Sequence, residues 1–331
     1  LIGSGDWNDS LDKVGTEGKG ESVWLAFFLY DILIRFSEIA LIKNDNNFSQ
    51  RCIQQAEQLQ INIEEHGWNG SWYYRAFFDD GTPIGGAEND ECKIDSVSQS
   101  WSILSNAGNK ERVKTALQSA INFLVDKQNG IVQLLTPPFN QSKLNPGYIK
   151  GYVPGVRENG GQYTHAAIWL TMALISLGDK QQSRELLSMI NPISKNDNIN
   201  QVEKYKVEPY VVAADVYAEP QHIGRGGWTW YTGSAGWMYQ LIMESLLGIT
   251  RKGNQLHFNP CIPSDWKSYQ IKYQYKDTKY YIKFILNENH NKIITLTLDG
   301  KELSNTFIIL KNDSLEHQVS ILLHQSSTIV V

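Results

Sequence analysis

A unit of about seventy residues recurs along most of the chain, and this repeat restricts the fold more than any other feature. Each copy runs from a loop rich in Gly, Asp and aromatic residues into an apolar helix and then an amphipathic one. The first pair is expected over residues 21–42 and 47–65. The earlier helix carries Val23, Trp24, Phe27, Phe28, Tyr30, Ile32, Leu33, Ile34 and Phe36, apolar on nearly every side, which predicts a helix buried all round. Its successor has only a stripe, Cys52, Ile53, Ala56, Leu59 and Ile63, as an outer helix should. Further pairs are expected over 96–105 with 110–126 and over 163–177 with 180–190, and a last apolar helix over 234–247. Trp24, Trp101, Trp169 and Trp237 stand near the starts of the apolar helices. Helical hairpins with long loops on one side predict a mainly α protein, a partial (α/α)6 toroid. Seven helices are countable where a closed toroid of six hairpins needs twelve. With Leu1 in place of Met, the chain is expected to be a fragment whose missing helices lie upstream.

After residue 250 the period changes from helical to two. Ile271-Tyr273-Tyr275, Ile282-Phe284-Leu286, Ile294-Leu296-Leu298 and Val319-Ile321-Leu323 alternate with polar residues, and Asp299-Gly300 supplies a hairpin turn. The expected division is residues 1–250 for the helical barrel portion and 251–331 for a small antiparallel, β-sandwich-like domain.

Composition excludes several functions. With 41% hydrophobic and 20% charged residues the chain can bury a large core. A formal charge of -5 with no run of Lys or Arg gives no footprint for nucleic acid or an anionic membrane. Three widely spaced cysteines suggest neither a disulfide framework nor a zinc site, so no metal is expected and a reducing, cytoplasmic setting fits.

Chemistry concentrates first in Gly5-Asp6-Trp7-Asn8-Asp9-Ser10. Two carboxylates flank an indole and an amide: an aromatic face to cover a sugar ring, an amide to read hydroxyls, and an acid whose pKa an apolar neighbour can raise. Taken alone, the stretch reads equally as an acidic loop whose Trp packs on a helix. His165, near the start of an apolar helix, reads alone as a core histidine. Thr232 and Gly233, placed just before a helix expected to begin at Ser234, read either as an ordinary cap or as an anion site at the positive end of the dipole. The loop from Trp72-Tyr73-Tyr74-Arg75 to Asp79-Asp80-Gly81, with Cys92-Lys93-Ile94-Asp95 after it, either shapes the cleft or packs between hairpins, and packing is preferred.

Four stretches in order carry a resemblance. Gly5-Asp6-Trp7-Asn8-Asp9, Arg157-Glu158-Asn159-Gly160-Gly161-Gln162-Tyr163-Thr164-His165, Val207-Glu208-Pro209-Tyr210 and Trp230-Tyr231-Thr232-Gly233-Ser234-Ala235-Gly236-Trp237 are similar to glycoside hydrolase family 94. That family holds cellobiose, chitobiose and β-1,2-oligoglucan phosphorylases and the carboxy-terminal part of cyclic β-1,2-glucan synthases. The resemblance implies inverting phosphorolysis, with inorganic phosphate as co-substrate and no further cofactor. It implies Asp9 as the acid, Trp7 lining the donor sugar, and His165, Thr232 and Gly233 binding phosphate. It also implies Arg157, Glu158, Gln162 and Glu208 as sugar contacts, while Asp6 is expected to hold the loop. Cellobiose-specific relatives carry Lys at the Arg157 position. Ala213-Ala214-Asp215 departs from the amide of cellobiose and chitobiose phosphorylases, which points to the β-1,2-glucan branch. Arg225 reads either as a phosphate partner or as a surface residue. The expected partners are an oligosaccharide and phosphate, and a homodimer is compatible with the reading. The alternatives are an inverting hydrolase, with Glu158 or Glu208 as base, and a non-catalytic glycan-binding fragment, since family members draw further phosphate-binding arginines from upstream. The cytoplasmic part of a larger membrane-bound synthase is a second expected setting.

Overall fold

The computed structural model describes residues 1–3, 6–263, 265–287 and 295–324; Gly5 and Ile294, used above, lie outside them. The chain divides into two compact units, Leu1–Tyr239 and Gln240–Val331.

In the first unit, α1 spans Val23–Ile42, α2 Asn46–His66, α3 Ser96–Leu104, α4 Lys110–Leu124, α5 Thr164–Ser176, α6 Lys180–Ile190 and α7 Ile199–Tyr205, and α8 covers Thr232–Gln240. Short polar side chains start six of them. Ser22, Asp45, Asp95, Asn109, Asp179 and Asn198 each accept a backbone N–H from the first turn, a cap worth about 1 kcal/mol apiece. Eight α-helices among the described residues exceed the seven expected. The extra one, α7, is seven residues long, too short for a 3.6-residue period to show within a polar stretch. The last helix begins two residues earlier than expected, at Thr232, and Leu241–Leu246 are wound as a π-helix.

α1, α3 and α5 form an inner row, α1 beside α3 and α3 beside α5, and each is backed by its successor, α2, α4 or α6. α3 is buried from Ser96 to Ile103. α1 departs from the expectation of burial all round: Leu29, Phe36, Ile39 and Ile42 are exposed. Its neighbours α2 and α3 cover two sides, and no third helix covers the rest among the described residues.

Two-residue strands precede the inner helices and pin the loops to their N-terminal ends. Glu21–Ser22 pairs with Ala76–Phe77, Ile94–Asp95 with Leu135–Thr136, and Gln162–Tyr163 with Asp215–Val216. The long loops are therefore gathered where the inner helices begin.

The second unit holds two sheets around one core. Five strands run in the order Ser268–Tyr275, Thr278–Asn287, Glu316–His324, Thr295–Leu298, Lys301–Leu303, and three in the order Ile249–Lys252, Gln255–Phe258, Phe307–Ile309. Tyr280, Ile282, Phe284 and Ile321 from the larger sheet bury against Leu256, Phe258 and Ile308 from the smaller. Asp299 and Gly300 both have positive φ, 50° and 79°, as a tight hairpin turn requires. The sheet is not wholly antiparallel. Thr278–Asn287 and Glu316–His324 pair in parallel, with Phe284 opposite Ile321. The intervening strands supply the long crossover that a parallel pair needs, and a two-residue period cannot reveal strand direction.

Candidate functional site

The opening loop is fixed from below by one buried cation. Arg75, wholly buried, donates from Nη2 to Asp6 Oδ1 at 2.5 Å and to Asn8 Oδ1 at 3.3 Å, and from Nη1 to Ser22 Oγ at 2.9 Å. Its Nε lies 3.8 Å from Asp95 Oδ2. Burial alone would pull the guanidinium down, but Asp6 and Asp95 outweigh it and hold the group above its ordinary value. Asp95 is pushed up to about 6 by burial, against the pull of Arg75. Asp6 also accepts the backbone N–H of Asn8 at 3.0 Å, which folds the loop back on itself. Asp6 therefore holds the loop, and Arg75 holds Asp6. Gly85 lets Arg75 in: a Cβ at Gly85 would lie 2.6 Å from the Arg75 backbone nitrogen.

Above this loop lies a cavity of about 290 Å³. Trp7, Asp9, Arg157, Glu158 and His165 line it, all of them expected as site residues from sequence, and so does Asp6, expected to hold the loop. Tyr148, Tyr152, Tyr163 and Tyr231 line it as well and were not. The Tyr148 hydroxyl stands beside Asp9, and burial together with that carboxylate raises its pKa. Glu158 is 5% exposed; burial raises its carboxyl above the usual range, with Arg157 pulling the other way and Asp9 pushing further up. The Arg157 guanidinium sits 4.1 Å from the centre of the Trp228 ring and 5.0 Å from that of Tyr152, a cation between aromatic faces.

The periodic tryptophans meet behind the cavity. The sixth residue of α3, α5 and α8 is Trp101, Trp169 and Trp237; in α1 it is Phe28, with Trp24 one turn earlier. Trp169 stands 5.4 Å from Trp101, 5.5 Å from Trp237 and 6.2 Å from Trp24, ring centre to ring centre. Trp7 joins this cluster at 5.0 Å from Trp169. His165, second residue of α5, packs on Trp169 at 4.3 Å. Burial pushes its pKa down to about 4.

The remaining expected residues divide. Gly233, second residue of α8, adjoins His165: a Cβ on it would lie 3.4 Å from Nδ1. Thr232 is exposed at the first turn of α8 and lies inside the helix instead of before it. Gln162 does not reach the cavity. It is 1% exposed, accepting from Val132 N at 3.1 Å and donating to Thr164 Oγ1 at 3.3 Å. Alternation along its short strand turns Gln162 inward and Tyr163 toward the cavity, a signal the sequence did carry. Glu208 is also outside the cavity lining, its carboxylate accepting the Trp230 indole N–H at 3.3 Å. Arg225 is exposed and lines no part of the cavity. Asp215, 2% exposed, accepts Trp228 N at 3.1 Å, and burial raises its pKa.

Residues 1–248 match the profile of the Glycosyl hydrolase 94 superfamily catalytic domain. The chain is 46% identical over 282 residues to the cyclic beta-(1,2)-glucan synthase NdvB of Rhizobium meliloti, covering 85% of this chain and 10% of that protein. It is 32% identical to the solabiose phosphorylase of Paenibacillus borealis, covering 97% of this chain and 42% of the relative. A shorter match, 31% identical, aligns 33% of the chain with 11% of the 1,2-beta-oligoglucan phosphorylase of Listeria innocua. The chain thus spans less than half the length of these relatives. Among solved structures, a sialidase chain superimposes with a TM-score of 0.51 at 12% identity, covering 76% of this chain and 22% of the other, a likeness of fold alone.

Proposed function

The chain belongs to the glycosyl hydrolase 94 superfamily, and from that premise we propose that it forms part of the toroid of an inverting β-glycoside phosphorylase acting on β-1,2-linked gluco-oligosaccharides. The inner row α1, α3 and α5, each with an outer partner, supports the toroid. One observation carries the reaction: an acid, Asp9, opens into the same cavity as a histidine that adjoins a helix N-terminus at Gly233.

In this reading Asp9 gives its proton to the glycosidic oxygen as the bond from C1 to that oxygen breaks. Phosphate forms the new C1–O bond from the opposite face, which inverts β to α and yields α-glucose 1-phosphate. The first N–H groups of α8 have no acceptor within the helix, and His165 stands beside them, so a phosphate there meets backbone donors and an imidazole. Trp7 offers a face to the donor sugar. Arg157 brings a cation that its aromatic neighbours hold in place. Substrate choice rests on the match to NdvB and on the Listeria oligoglucan phosphorylase. No helix among the described residues is long and apolar enough to cross a membrane. We assign the reaction to the cytoplasm, where a cell can use the sugar phosphate it releases.

A hydrolytic reading has one observation in its favour. Glu158 shares the cavity with Asp9 and could activate water, whereas Glu208 lies outside it. The two readings separate in one assay of the protein on short β-1,2-glucans with and without inorganic phosphate. Sugar 1-phosphate formed only with phosphate is the expected result, and Asp9→Asn should lower it by about 10²- to 10⁴-fold while oligosaccharide still binds. Free glucose released without phosphate would replace phosphorolysis by hydrolysis. Binding without any product would make this a glycan-binding protein.

A further inference from the structure

The two ring nitrogens of His165 have different surroundings. Nδ1 faces the indole of Trp7, whose Nε1 lies 3.3 Å away, with the two rings edge to face at 5.2 Å. An indole N–H can only donate, so Nδ1 must present its lone pair. Nε2 is buried and has no protein partner. In a neutral ring whose Nδ1 is an acceptor, the one proton sits on Nε2.

The ring is held neutral by its setting. Trp169 and Trp237 stack around it at 4.3 and 5.6 Å, and among the described residues no carboxylate pairs with it. A buried donor without an acceptor is costly to maintain and marks a place where a ligand atom completes the bond.

We propose that Trp7 is a positioning residue that acts through His165: its indole N–H fixes the Nε2–H tautomer, so that the ring offers a donor to an oxygen of a tetrahedral anion. The opposite tautomer would aim a lone pair at the anion and repel it. The same indole has a face for the donor sugar and an edge for the histidine. A sugar that shifts the indole therefore alters the anion site, and the two substrates are coupled through a single side chain. Gly233 lies alongside the same edge of the ring, where a Cβ would touch Nδ1 at 3.4 Å.

The identity of the anion rests on the phosphorylase reading; the tautomer does not. The test is nitrogen NMR of the protein labelled at its histidine rings, with the His165 signals assigned by their loss in His165→Gln. Expected in the wild type is one tautomer at neutral pH, protonated at Nε2 and bare at Nδ1. Trp7→Phe, which keeps an aromatic ring but no N–H, should give a mixture of tautomers and weaken inorganic phosphate binding about tenfold, with a smaller change in kcat. A wild-type ring protonated at Nδ1, or at both nitrogens, overturns the proposal even where the variant fails to fold. So does a folded Trp7→Phe protein with an unchanged His165 spectrum. If the tautomer shifts as expected but phosphate leaves both signals unmoved, the indole's role stands and phosphate is removed as the ligand.

Discussion

His165 also makes the fold sensitive to acid. Its pKa falls to about 4 in the native state, against about 6.5 in the unfolded chain. Between these values the unfolded state binds more protons, so native stability falls as pH drops from 6.5 to 4, by up to about 3 kcal/mol. Asp95 runs the other way: held neutral up to about 6, it favours the fold at low pH and weighs against it as pH rises. Urea unfolding of the wild type beside His165→Gln isolates the histidine. The difference between them should shrink on acidification through that window, and a constant difference would mean that the fold does not lower the pKa of His165. At this scale the sequence showed Asp9, Trp7, Arg157, Glu158 and His165 because they stand in dense motifs. Tyr148 and Tyr152 come from a stretch without periodicity, so nothing local marks which tyrosine turns inward, while Tyr163 and Tyr231 stand within the motifs but were not singled out there. Gln162 lies outside the cavity because alternation along its short strand turns it inward, a signal that the motif by itself does not use.

At the level of elements, the strands and loops at the start of the inner helices depend on Arg75. It joins the opening loop, through Asp6 and Asn8, to Ser22 at the head of α1 and Asp95 at the head of α3. Arg75→Met strands two buried carboxylates and should cost about 3–5 kcal/mol by chemical denaturation. Adding Asp6→Asn should recover part of that loss; no recovery would mean that the stem of Arg75, and not its charge, is what the fold needs. The preference for simple packing of the Trp72–Arg75 loop therefore understated it. A single Arg between aromatic residues carries no spacing that distinguishes a buried clamp from a surface charge. Helix starts were better marked, because Ser22, Asp95 and Asn109 are the residue types that cap. The direction of strand Glu316–His324 was hidden for a different reason, since alternation is the same in parallel and antiparallel pairs.

Across the first unit the burial of α1 is uneven. Phe27 is fully buried whereas Ile42 is 78% exposed. Phe27→Ala should cost about 3–5 kcal/mol, and Ile42→Ser no more than about 0.5 kcal/mol, in the same denaturation assay. An equal cost at both would contradict the uneven burial that the layering of inner and outer helices gives α1. The repeat made that layering visible, and its tryptophans do more than mark it. Trp7, Trp24, Trp101 and Trp237 gather around Trp169, each ring centre within about 6 Å of its centre. Indoles that close can exchange excitation, and because Trp7 both joins the cluster and lines the cavity, a ligand bound there should change the intrinsic fluorescence of the whole unit.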